Sequence, residues 1–78
     1  MKVYLVWCTN NVGEYEDEIT SLLKIFKTYN KAFKFILREL GELPSDVDYL
    51  KIDKDSNIFQ YSIKGTVTEL CIEVNKVE

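Results

Sequence analysis

The chain has 78 residues, 46% hydrophobic and 13% aromatic, with three Gly and one Pro. That is one domain, residues 1–78, with apolar material enough to fold and no signature of disorder, although a domain this small buries only roughly 60% of its unfolded surface. The net charge of −3, from 13 acidic and 10 basic side chains, disfavours direct nucleic-acid binding, and the lack of any His removes the commonest general base and metal ligand.

Residues 2–9 read as the first strand. Val3, Leu5 and Trp7 alternate with Tyr4, Val6 and Cys8, and both sets are apolar, so a central strand is expected. The apolar run 3–8 is too short for a signal peptide, and no stretch nears the ~20 apolar residues of a membrane span. The expectation is a cytoplasmic protein with no membrane contact. In that setting Cys8 and Cys71 are expected as buried small hydrophobes without a disulfide.

Asn10-Asn11-Val12-Gly13 is a turn signal, and Glu14-Tyr15-Glu16-Asp17-Glu18 follows as an acidic cluster. Residues 10–17 are therefore expected as an exposed loop. Residues 18–27 fit two periods. Ile19, Leu22, Leu23 and Phe26 have helical spacing. Leu23 and Ile25 on one face, with Leu22, Lys24 and Phe26 on the other, fit a strand. Strand is favoured, because Ile19, Thr20, Ile25 and Phe26 have strand propensity and Thr28 is a good N-cap for a helix that starts afresh.

Residues 29–41 read as that helix. Ala32, Phe35, Ile36 and Leu40 recur at three- and four-residue spacing, opposite Lys31, Lys34 and Arg38, and Gly41 is the expected stop with Pro44 beyond. Residues 42–48 cross back. Tyr49–Asp53 and 58–64 read as a hairpin around Lys54-Asp55-Ser56-Asn57, Gly65 marks the next turn, and 66–77 form the last strand. In that strand Leu70, Ile72 and Val74 take one face, and Glu69, Cys71, Glu73 and Asn75 the other. The fold class is α+β, an antiparallel sheet of four or five strands in the order β-β-α-β-β-β with one α-helix packed on one face. One helix covers one face only, so apolar surface should be left over, and leftover patches mark partner or self-association sites.

No catalytic set stands out. Cys8, Cys71, Ser21, Ser45, Ser56 and Ser62 lack a His partner. Residues 53–57 superficially resemble a calcium loop, but Ile58 and Lys64 stand where the loop needs Gly and Glu, so a hairpin turn is the better reading. The carboxylates of the acidic cluster have no evident apolar pocket to raise a pKa. They read as a solvated loop or, more sharply, as a contact surface for a basic partner. Lys24, Lys27, Lys31, Lys34 and Arg38 form a basic stripe, read as the wet face of the helix. Tyr15 and Tyr29 are the aromatics hardest to bury, and Tyr is enriched at interfaces.

The opening Lys2-Val3-Tyr4, the acidic loop, Ile25-Phe26-Lys27-Thr28-Tyr29-Asn30-Lys31-Ala32, Ile58-Phe59-Gln60-Tyr61-Ser62-Ile63 and Ile72-Glu73-Val74 together resemble short, mostly uncharacterised proteins of phages and bacterial mobile elements. The resemblance covers most of the chain, rests on structural residues and carries no catalytic site. What it implies is context, since small phage proteins are often inhibitors of host machinery, including defence systems.

The sequence therefore leads to a non-enzymatic protein-binding module. A host protein is the expected partner, and Glu14, Tyr15, Glu16, Asp17, Glu18 and Tyr29 are the expected contact residues. No cofactor or metal is expected. The alternatives are a homodimer through the uncovered sheet face and a small-ligand regulatory domain.

Overall fold

The computed structural model describes residues 1–77. The elements are β1 (Lys2–Asn10), β2 (Ile19–Phe26), α1 (Tyr29–Gly41), β3 (Tyr49–Asp53), β4 (Ile58–Ile63) and β5 (Thr66–Lys76). The five strands form one sheet in the order β2-β1-β5-β4-β3, with every neighbouring pair antiparallel. The α+β class and the β-β-α-β-β-β order are those expected from the sequence. β1 is central, as its two apolar faces require. Within the ambiguous stretch 18–27, Ile19–Phe26 are strand. That places β2 and β3 at the two edges.

The helix forms because its local signals agree. Thr28 is extended at φ −132° and ψ 150°, and its Oγ1 accepts from the Lys31 backbone N–H at 3.3 Å. Such a cap is worth about 1 kcal/mol. Ala32, Ile36 and Leu40, each one turn apart, are the buried stripe. The helix stops at Gly41, as expected, but without a left-handed glycine. Gly41 is still helical and has no positive φ. The chain ends by tightening, with the Glu42 N–H directed at Glu39 and Leu40 carbonyls and the Leu43 N–H at Leu40 O. Pro44 then bars a further turn.

The helix packs over β1, β2 and β5. Beneath it Val6, Phe59, Leu70 and Ile72 join Ala32, Ile36 and Leu40 in the core, with Tyr4, Cys8, Phe26, Tyr29, Phe33, Phe35, Leu43 and Tyr61 around them. Phe59 points to the helix and so Ile58 points away, the arrangement the alternation of β4 demanded.

Strict alternation fails in β2. The β1–β2 register slips between Val6 and Trp7, so Val6 faces Lys24 while Trp7 faces Leu22. Leu23 is the extra residue of a β-bulge. In consequence Leu22 and Ile25 share the face away from the helix, opposite Trp7 and Leu5. Leu23 turns to the helix side, beside Cys8, Glu39 and Leu43. The expected pairing of Leu23 with Ile25 on one face is corrected by that one inserted residue.

Among the described residues three turns use left-handed backbone, one of them after β1 at Asn11 (φ 57°) and Gly13 (φ 88°). Lys64 and Gly65, at φ 51° and 82°, form the two-residue link between β4 and β5, where Ile63 pairs with Thr66. Two positive φ values at such a link are the type I′ geometry that matches strand twist. Asp48 Oδ2 clamps the same corner, accepting from Ser62 Oγ at 3.1 Å and Gly65 N–H at 2.9 Å. The third turn is 54–57, where Asn57 has φ 57° and Asp53 Oδ1 accepts from the Ser56 N–H at 3.1 Å.

Candidate protein-binding surface

The helix leaves one face of the sheet bare. Register places Val3, Leu5, Trp7 and Thr9 of β1 there, beside Thr20, Leu22 and Ile25 of β2 and Cys71 and Glu73 of β5. Ile58 and Gln60 of β4 continue the row. Leu5 is buried, yet it stands outside the helix-side core. Its neighbours on the bare face shield it, so they form a small apolar cluster of their own. Leu22 and Ile25 rim that cluster with 42% and 52% of their surface in solvent.

β3 is also poorly covered, because the helix lies over the other end of the sheet. Tyr49, Leu50 and Ile52 are exposed, as is Leu37 on the helix. Among the described residues, twelve large hydrophobics are exposed while eight hydrophobic residues form the buried set. Scattered exposed apolar residues are normal, but here seven of the twelve lie on the two edge strands, β2 and β3.

The acidic cluster lies at the Asn10 end of β1. Its loop is built rather than loose. Glu14, Asp17 and Glu18 form a single backbone turn, with Asp17 N–H and Glu18 N–H donating to Glu14 O at 3.0 and 2.9 Å. Asn11 Nδ2 donates to Asp17 O at 3.0 Å, and Glu18 Oε2 accepts from Gly13 N–H at 3.1 Å. Glu18 therefore serves the loop itself. Tyr15 is fully exposed, and Glu14, Glu16 and Asp17 surround it in solvent.

Tyr29 is elsewhere. It is half-buried at the start of α1, its ring edge-on to Tyr4 at 6.1 Å and stacked on Phe33 at 6.1 Å. Its hydroxyl donates to Asn57 Oδ1 at 2.9 Å. Tyr4 is near the start of β1, whereas the acidic loop follows its end, so the two tyrosines do not share a patch. Glu14, Tyr15, Glu16, Asp17 and Glu18 come together, and Tyr29 is set apart from them by the length of a strand.

A second charged feature is sharper in space than in sequence. Lys24, Lys31, Lys34 and Arg38, with Phe26 and Phe35, line a cleft of about 330 Å³ between β2 and α1, and among the described residues no acidic side chain lines it. Phe26 and Phe35 pack at 5.4 Å. Lys24 Nζ lies 5.6 and 5.9 Å from their ring centres, and Arg38 Cζ lies 5.7 Å from that of Phe35. Cation–π contacts at exposed sites are worth about 0.5–1 kcal/mol and orient the cation. The basic stripe is thus partly gathered around two phenyl rings. The signal was present, as two Phe residues interleaved with lysines, but it needed the β2–α1 packing to become a site.

A smaller cleft of about 280 Å³ lies under the helix C-terminus, lined by Cys8, Leu23, Glu39, Glu42, Leu43, Tyr61 and Leu70. Burial, and then the Glu39 carboxylate, push the Cys8 thiol above its ordinary 9.0. Burial, Glu69 and Glu73 do the same for Cys71, against a backbone hydrogen bond at Trp7. Both cysteines are free and half-buried, on opposite faces of the sheet. A raised pKa keeps them as thiols, the poorly nucleophilic form.

No helix among the described residues is long and apolar enough to cross a membrane. No protein-family model, curated protein or solved structure matches this chain.

Proposed function

We propose that this protein is a non-enzymatic protein-binding module that acts by stoichiometric association. The observation that carries the reading is the apolar cluster on the bare sheet face, Leu5, Trp7, Leu22 and Ile25, which the chain's single helix leaves uncovered. Apolar surface of this kind, rimmed by polar groups, is what a partner buries. The ordered loop of Glu14, Tyr15, Glu16 and Asp17 adjoins the β1–β2 end of that face. It supplies an exposed aromatic and a negative rim, which would steer a basic partner and fix its orientation. Glu18 holds the loop in shape, and Tyr29 supports the fold at the other end of the sheet.

The resemblance to short phage proteins favours a host protein in the bacterial cytoplasm as the partner, bound as an inhibitor binds its target. The test is affinity capture from bacterial lysate with the wild-type chain and with Leu22→Ser/Ile25→Ser, both shown to be folded by circular dichroism. The reading expects a protein retained in fixed ratio by the wild type and lost from the variant. Equal retention by both, or none by either, would count decisively against the bare face as the binding surface.

A further inference from the structure

We propose that two copies of this chain pair antiparallel along β2, edge to edge, so that the acidic loop of each meets the basic cleft of the other. This goes beyond the protein-binding reading and does not depend on it.

Three observations converge. First, β2 is an eight-residue edge strand whose outer side has no partner strand among the described residues, and Ile19, Leu22, Leu23 and Ile25 on it are all exposed. Edge strands left this apolar are templates for pairing unless charge or cover blocks them, and Lys24 is the one charge within the strand. Second, the ends of β2 carry opposite charge. Glu14, Glu16, Asp17 and Glu18 precede Ile19, while Lys24, Lys27, Lys31 and Lys34 gather at the Phe26 end. A two-fold axis reverses one strand against the other and sets each acidic end beside a basic one. Parallel pairing would instead set like charges together. Third, the cleft at the basic end holds four cations and, among the described residues, no lining carboxylate. The occupant that supplies carboxylates at the right place is the second copy's loop.

The register supports the geometry. Ile19, Ser21, Lys24 and Phe26 lie opposite Asn10, Cys8, Val6 and Tyr4, on the helix side, while Thr20 and Ile25 lie opposite Thr9 and Leu5, on the bare side. An axis perpendicular to the sheet must match like faces. Pairing Ile19 with Phe26, Thr20 with Ile25 and Ser21 with Lys24 of the other copy does so at both ends of the strand. Leu22 and Leu23 then fall on the axis, where the bulge of each copy interrupts the ladder only at its centre. Such an interface is self-complementary and closed. It merges two five-stranded sheets into one, with both helices on one side. β3 is the weaker candidate edge, being five residues long with Lys51 and Asp53 of opposite sign inside it.

Sedimentation of the full chain over a concentration series tests this, with folding of every variant checked by circular dichroism. The wild type is expected to reach twice the monomer mass, and added salt should weaken it. Glu14→Lys/Glu16→Lys/Asp17→Lys makes the loop net basic, and Lys27→Glu/Lys31→Glu/Lys34→Glu makes the other end net acidic. Neither set removes a side-chain hydrogen bond of the fold. Each variant alone should run as a monomer, and an equimolar mixture should dimerise again, because both contacts are then complementary. Ile52→Lys on the other edge should leave the dimer intact. A wild type that stays monomeric, reversed variants that dimerise alone, a mixture that fails to pair, or a dimer abolished by Ile52→Lys would each overturn the proposal. So would a monomer in which inorganic phosphate shifts the Lys24 and Arg38 resonances, which would give the cleft to a small anion.

Discussion

Tyr29→Phe removes one oxygen and leaves the ring edge-on to Tyr4 and stacked on Phe33. What is lost is the 2.9 Å bond to Asn57 Oδ1, which ties the start of α1 to the β3–β4 turn. A bond of this kind contributes about 0.5–1.5 kcal/mol net. For a domain of this size that corresponds to a fall in Tm of about 4–8 °C per kcal/mol. Asn57 needs a partner substitution that tolerates φ 57°, so Asn57→Gly is the choice, since it accepts that backbone without strain. In a double-mutant cycle the backbone cost of the Gly cancels, and the coupling between positions 29 and 57 should come to about 1 kcal/mol. Urea unfolding of the four proteins measures it. A coupling indistinguishable from zero would refute the structural role given to Tyr29. So would a Tyr29→Phe chain of unchanged stability that binds its partner less well, which would restore Tyr29 as a contact residue.

Phe59→Ala empties the centre of the core, where the ring is fully buried against Phe33, and should cost about 3–5 kcal/mol by urea unfolding. Lys64→Asn puts the better left-handed residue before Gly65 and should stabilise the β4–β5 turn by up to about 1 kcal/mol, read by the same assay; a loss of stability would contradict the I′ assignment. For the cysteines the sign follows from the raised folded-state pKa of both. Below 9.0 both states hold the proton, and above it the unfolded chain releases protons that the folded chain retains. Stability should therefore fall as pH rises above 9.0, more steeply than in Cys8→Ala/Cys71→Ala. Thiol labelling of the folded chain should be slow at neutral pH.

The order of elements was legible in the sequence because each carried a local signal. Thr28 announced the helix, Gly65 the last turn, and the two apolar sets of β1 its central place. β2 was harder, since eight residues with a bulge obey neither strict alternation nor a helical period. The inserted Leu23 shifts Leu22 to the face of Trp7, and only pairing with β1 makes that visible. The helix bounds, 29–41, were legible too, though not the backbone geometry by which the helix ends. A glycine permits a left-handed stop but does not compel one, and here the carbonyls of Glu39 and Leu40 draw the chain into a tighter turn instead. At the site, the acidic loop was legible as a run of neighbours. The basic cleft was not, because Lys24 and Arg38 are fourteen positions apart and meet only through Phe26 and Phe35. Tyr29 looked exposable from its place at a helix start, and its burial depends on Tyr4 and Asn57, both remote in sequence.

The most direct test of the binding face uses the one tryptophan. Trp7 is half-buried in the middle of the bare face, one strand in from the β2 edge, so edge pairing leaves it in contact with solvent while a partner on the face covers it. Its fluorescence should be followed by acrylamide quenching in the free chain and in the purified complex with the captured protein, with a partner fragment or variant free of tryptophan. The account predicts emission at shorter wavelength and reduced quenching in the complex. Emission and quenching unchanged on complex formation would contradict it, and would move the binding surface away from the face that the single helix leaves bare.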